Sequence, residues 1–300
     1  MVSGPAVVRT VTGDVPADRL GVVDAHDHLF IRSPLLPGQE LDDAGEASAR
    51  LGAFHALGGG TVVQWTPYGM GRRADELAAL SRESGVRIVA ATGLHQAAHY
   101  PPGLLDSVRD SLAELFVREI TEGVAGGGGA RAGLIKVAGG FHGLDAHARL
   151  TMRAAAEAHH RTGAAIAVHL ELGTGALDVL DLLCGELGVA PDRVILGHLN
   201  RSPDFAGHRQ AAAAGAYLGF DGPSRANHAT DWRMPKALKA LADAGFADRL
   251  LLGGDTVTPD TPGMPYLLRR VRPGLELALG EELVERALVA NPPGAFALRH

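Results

Sequence analysis

Two histidines one residue apart close the run VVDAHDH at residues 22–28. Residues two apart on a strand point to the same side, so His26 and His28 can present both imidazoles to one ligand. The same search, for a polar residue after three to five mostly apolar ones, finds four more positions. They are Lys136 in GLIKVA, His169 in AAIAVHL, His198 in RVILGHL and Asp255 in RLLLGGD. Singly, each has an ordinary reading. An H-x-H pair is usually a surface or core feature, a strand-end lysine finds a salt bridge or snorkels, and a strand-end aspartate caps the next helix. Brought to one rim, four imidazoles, a lysine and a carboxylate resist explanation by packing. An uncompensated charge among them would cost several kcal/mol. Divalent metal ions would remove that cost. Imidazole and carboxylate suit zinc first, and manganese, cobalt or iron as well.

What could bring them to one rim is an alternation of strands and helices. Apolar runs at 21–26, 61–66, 87–93, 133–138, 164–170, 193–199, 216–222 and 249–255 read as eight strands. They lack polar alternation, as strands covered on both faces do. Between them, 74–85, 150–163 and 235–246 have apolar residues at helical spacing, several ending at a glycine that serves as a C-cap. Eight such units predict a (β/α)8 TIM barrel, an α/β fold in one domain over residues 1–300, whose catalytic groups sit at the C-terminal strand ends. Residues 1–20 are expected to form a short hairpin capping the other end. A doubly wound open sheet is the competing architecture, but no Gly-rich dinucleotide fingerprint follows the first strand. The glycine-rich run AGGGGARAG at 125–133 leads into a strand, so it reads as a connector rather than a phosphate cradle.

Composition narrows the partners. The 300 residues are 46% hydrophobic with a formal net charge of −6 and no basic run, which argues against nucleic acid and anionic membranes. The start shows neither a signal-peptide pattern nor a membrane-length apolar segment. The single cysteine, Cys184, forms no disulfide within the chain and reads as a buried thiol. A cytoplasmic protein with a small-molecule substrate is expected. Fourteen histidines point toward metal or proton chemistry.

Taken together, HDH at 26–28, GLIKVA, AVHLELG, ILGHLNRSPD, LLLGGD and the closing VANPPGAFAL resemble the phosphotriesterase family of the amidohydrolase superfamily, over nearly the whole chain. The resemblance implies two divalent ions, one held by His26, His28 and Asp255 and the other by His169 and His198. It further implies that Lys136 is carboxylated by carbon dioxide and bridges both ions together with a hydroxide. Asp255 would then accept a proton as the general base. Burial agrees with this role for Lys136, since it favours the neutral amine that adds to carbon dioxide. A homodimer is also what the resemblance offers for the assembly.

Around this centre, His95 falls where lactonases of the family often carry a tyrosine. His95 and Tyr100 are read as substrate-binding residues, or as caps of the next helix. Arg225, in FDGPSRANH, could grip a substrate phosphate or carboxylate, or pair with an acid such as Asp231. His159 and His160 are expected to face solvent from a helix. The expected activity is hydrolysis of a lactone or carboxylic ester, with phosphotriester hydrolysis as a side activity. A phosphoester or amide hydrolase, a mononuclear deaminase-type relative and a non-catalytic metal-containing barrel are the rival readings.

Overall fold

The computed structural model describes residues 6–223 and 228–299. Arg225 therefore lies outside the described residues. Val7–Thr10 (β1) and Gly13–Pro16 (β2) pair antiparallel as a separate hairpin. Eight parallel strands follow: Val22–Asp27 (β3), Gly59–Gln64 (β4), Arg87–Gly93 (β5), Ala132–Ala138 (β6), Ala165–His169 (β7), Val194–Leu196 (β8), Tyr217–Asp221 (β9) and Leu250–Gly253 (β10). They neighbour one another in strict chain order from β3 to β10, with helices between them.

The sheet curls until its first and last strands meet. Asp255 N donates to His26 O at 2.8 Å. Two buried carboxylates add to this seam: Asp24 Oδ1 accepts from Gly254 N at 3.0 Å, and Asp27 Oδ1 accepts from Thr256 N at 2.9 Å. Gly253 is required there, because a Cβ on it would lie 2.8–2.9 Å from His26. The open-sheet alternative is excluded by this closure.

Two apolar layers result. Val23, Val63, Val89, Leu134, Ala165, Ile195, Tyr217 and Leu251 fill the barrel interior, one from each strand. Val8 of the hairpin and Phe296 of the helix Pro292–Phe296 join them. Val11 N donates to Ile88 O and Leu298 N to Val7 O, both at 2.9 Å, so the hairpin and the chain's end close the same region. The second layer lies between strands and helices, where Ala74–Ser84, Leu112–Thr121 and Ala146–Thr162 present Leu77, Phe116 and Met152.

Counting by twos along the interior face sets the stage for the site. On β6, Leu134 is followed by Lys136. On β7, Ala165 and Ala167 are followed by His169. Beyond Leu251 and Gly253 the same step reaches Asp255, and beyond Tyr217 and Gly219 it reaches Asp221. A single pleat period therefore delivers polar groups to one end of the barrel.

One expectation about the helices needs correction. His159 does not face solvent: it is buried, and its Nδ1 donates to Ala164 O at 2.7 Å, tying the end of Ala146–Thr162 to β7. His160 is exposed as expected. Cys184 is half-buried, and burial pushes its thiol up to about 11. No helix among the described residues is long and apolar enough to cross a membrane.

Candidate metal centre and active site

At the C-terminal mouth of the barrel the side chains of His26, His28, Lys136, His169, His198 and Asp255 line one cleft of about 300 Å³. His26 Nε2 is 3.5 Å, and His28 Nε2 3.7 Å, from Asp255 Oδ1. The far nitrogen of each ring fixes its tautomer. His26 Nδ1 donates to Asp221 Oδ2 at 2.9 Å. Thr66 Oγ1 gives its only proton to Phe30 O at 2.6 Å, so it accepts from His28 Nδ1 at 2.7 Å. With Nδ1 of each ring so engaged, Nε2 of both faces a carboxylate oxygen, an arrangement that a cation between them would satisfy. Burial, and behind it the neighbouring charges of His26 and Lys136, hold His28 well below the ordinary histidine range.

Across the cleft, His169 Nδ1 and His198 Nε2 stand 2.8 Å apart. His198 Nδ1 meets Asp221 Oδ1 at 2.6 Å. Burial disfavours the His198 cation, but the charge of Asp221 and its hydrogen bond, with Asp255 beyond, outweigh burial and hold His198 above its ordinary range. Asp221 is correspondingly held well below the usual carboxylate range by His198 and His26, against its burial. Burial brings His169 down to about 3, with help from the charge of His198. So a proton shared toward His169 occupies the place where a metal would bind.

Lys136 lies between the two halves, 2% exposed, and burial lowers it to about 7 despite the charge of Asp255. No carboxylate among the described residues pairs with its Nζ. Space for the strand pair is tight: Gly93 sits opposite Lys136 in the β5–β6 register, and a Cβ on it would come within 1.9 Å of Lys136 O. Backbone conformation adds to the local strain, because His198 (φ 64°) and Asp255 (φ 48°) both occupy the left-handed region. Such residues cluster at functional sites, at about 1–3 kcal/mol each.

The residues expected around the centre separate. His95 lines the cleft, its ring 4.5 Å from that of His169 and stacked at 4.2 Å on His99. Gln96 N donates to His95 Nδ1 at 2.7 Å, which leaves the proton of the neutral ring on Nε2. Tyr100 is buried behind it. Its hydroxyl accepts from His95 N at 2.6 Å, and burial pushes the phenol beyond the usual tyrosine range, so it braces the loop rather than facing the cleft.

Three participants escaped sequence reasoning. Asp221 ends its strand run in AYLGFDG by the rule that selected Asp255. Glu171, two residues after His169, accepts from His169 Nε2 at 3.2 Å. Arg201 reaches Asp255 Oδ2 with Nη2 at 3.4 Å and lines the cleft.

A profile of the phosphotriesterase family matches residues 6–296. The chain is 30% identical over 326 residues to a phospho-furanose lactonase of Mycoplasmopsis synoviae, covering 96% of this chain and 91% of that protein. Among solved structures, a lactonase from Listeria monocytogenes superposes with a TM-score of 0.91 at 28% identity, covering 98% of this chain and all of the other. The phosphotriesterase homology protein of Escherichia coli, crystallised with phosphate in its active site, gives 0.86 at 28% identity over 93% and 99%. The fold and mouth define a hydrolase built on a TIM barrel. This chain belongs to the phosphotriesterase family, whose enzymes are binuclear and metal-dependent.

Proposed function

We propose that the protein hydrolyses a lactone or another carboxylic ester with two divalent ions, zinc first among them, and turns over phosphotriesters as a side activity. One observation carries this reading. Nε2 of His26 and of His28 converge on Asp255, and Nδ1 of His169 and Nε2 of His198 converge on each other, with the unpaired Lys136 between. The lactonases among its relatives support the ester over other bonds.

In this reading His26, His28 and Asp255 hold one ion, His169 and His198 the other, and Lys136 joins them as a carbamate. When bound, the pair supplies Lewis acidity that ionises water near neutral pH and polarises the oxygen of the scissile group. Everything else falls to the chain. Its buried amine is poised near 7, so neutral Lys136 is available to add carbon dioxide at Nζ. Asp255 has one oxygen toward His26 and His28 and the other toward Arg201, which fits it to take the proton of the attacking water. His95, with its Nε2 proton free for the cleft, would donate to a substrate oxygen. Arg225 remains a proposed anchor for an anionic substituent.

A panel of lactones, aryl esters, phosphotriesters, phosphodiesters and N-acyl amides, run on metal-loaded protein, tests the proposal. The expected result is the highest kcat/KM on a lactone or ester. Efficient turnover of a phosphorus substrate alone would overturn it.

A further inference from the structure

All four imidazoles of the centre are held at the nitrogen facing away from the proposed ions, but not by equivalent partners. His26 and His198 share Asp221, 1% exposed, and His28 leans on Thr66, fully buried. His169 leans on Glu171, whose side chain is 36% exposed and belongs to a loop lining the cleft.

That loop is secured from two sides. Gln96, from the loop after β5, donates through Nε2 to Glu171 Oε2 at 2.9 Å and to Gly139 O, after β6, at 2.9 Å. Thr174 Oγ1 donates to Glu171 O at 2.8 Å and accepts from His142 N at 2.9 Å. A glutamate that served only to solubilise the rim would need neither support.

We propose that Glu171 is the positioning residue of His169: its carboxylate, aimed by Gln96, turns Nδ1 of the ring toward His198 and thereby sets the affinity of the second ion. This rests on the two-ion reading above. A carboxylate accepting the far N–H fixes the tautomer and raises the basicity of the ligating nitrogen, an effect commonly worth 10- to 100-fold in metal affinity. The consequence is an asymmetric centre, in which both histidines of the ion held by His26, His28 and Asp255 lean on buried partners, whereas one histidine of its neighbour leans on a residue that substrate and solvent can reach.

Zinc titration against a chromophoric chelator, on the full chain, separates the two sites. Glu171→Leu should weaken the second zinc about 10- to 100-fold and leave the first within twofold. Glu171→Gln retains an acceptor oxygen for the ring N–H and should fall between Glu171→Leu and the native chain. The midpoint of thermal unfolding of the metal-free variants should match the native chain. A second zinc bound by Glu171→Leu within twofold of native would overturn the assignment. So would equal weakening of both zincs together with a lower metal-free midpoint, since that reports general loosening. A native chain that binds fewer than two zincs would instead overturn the two-ion reading itself.

Discussion

Asp221 joins His26 and His198 through the two oxygens of one carboxylate, at 2.9 and 2.6 Å. One buried charge thus orients a ligand of each proposed ion. Its backbone is fixed in turn by Asn200, which donates to Asp221 O and accepts from Asp221 N. Asp221→Asn preserves the size of the side chain and removes the charge. It should lower metal affinity at both sites by about 10- to 100-fold, measured by chelator competition. Unchanged affinity at either site would mean that the carboxylate orients only one ring.

The proton between His198 and His169 makes metal uptake a competition. His198 is held above its ordinary range in the metal-free protein, so its cation persists to higher pH than usual, and the proton must leave before Nε2 can ligate. Lowering the pH retains it. Apparent affinity of the ion at His169 and His198 should fall by about tenfold per pH unit for each proton displaced. The measurement is zinc competition at pH 8, 7 and 6. A flat profile would show that His198 is already neutral when metal arrives.

The barrel and its six rim ligands are legible from one rule, an apolar run ending in a polar residue, because the pleat period fixes which side chains reach the mouth. Lys136 and His169 are placed by counting two from Leu134 and Ala167. The same rule reaches Asp221, which fails as a prediction only because an aspartate before glycine also reads as a turn. His198 also ends such a run, in RVILGHL, although its left-handed backbone departs from the strand's alternation. Loop contacts are hidden for another reason. Glu171, Arg201 and Tyr100 act through turns whose path depends on neighbouring loops, and nothing in HLELG or HLNRSPD states that Gln96 or Asp255 will lie beside them. His159 misleads because one face of a helix is hard to tell from its neighbour where small alanines, six of the 17 residues, mark the apolar side.

Lys136 is kept at a cost to stability. Its amine titrates at about 7 in the folded metal-free protein and near the ordinary lysine value when unfolded. The folded state therefore binds fewer protons across that interval, and stability rises with pH through it. Below pH 7 the full penalty is present. Lys136→Met should stabilise the metal-free protein at pH 6 by roughly 5 kcal/mol, and by less than about 1 kcal/mol at pH 10. Urea unfolding at the two pH values checks this. The same variant should lose metal and activity. In Lys136→Ala, which leaves space, short carboxylates should restore part of both.

Gly93 tests the close approach of β5 to that lysine. Its φ of 104° and the 1.9 Å gap between a Cβ and Lys136 O leave no room for a side chain. Gly93→Ala should lose roughly 3 kcal/mol or more, since a strained backbone and a backbone clash combine. Denaturant unfolding of the metal-free protein gives the value. A loss under about 1 kcal/mol would mean that β5 and β6 separate easily, and that the lysine's position is less constrained than the register implies.

Arg201 supplies the guanidinium that the described part of the cleft contains. Its Nη2 donates to Gly222 O at 3.1 Å and approaches Asp255 Oδ2 at 3.4 Å, so the group is positioned by backbone and spends part of its charge on the proposed general base. Two effects of Arg201→Gln follow and can be separated. Losing the cation beside Asp255 should lower kcat on every ester, because the carboxylate is less well oriented to take a proton. Losing an anion-binding group should raise KM only for lactones bearing a carboxylate or phosphate, by about tenfold for one charge-assisted hydrogen bond. Arg225→Gln, measured beside it on the same neutral and anionic substrates, assigns the second effect. If Arg201→Gln lowers kcat alone and Arg225→Gln raises KM for anions alone, the two arginines divide the work, one serving the base and the other the substrate. If Arg201→Gln changes neither constant, its contact with Asp255 has no part in turnover.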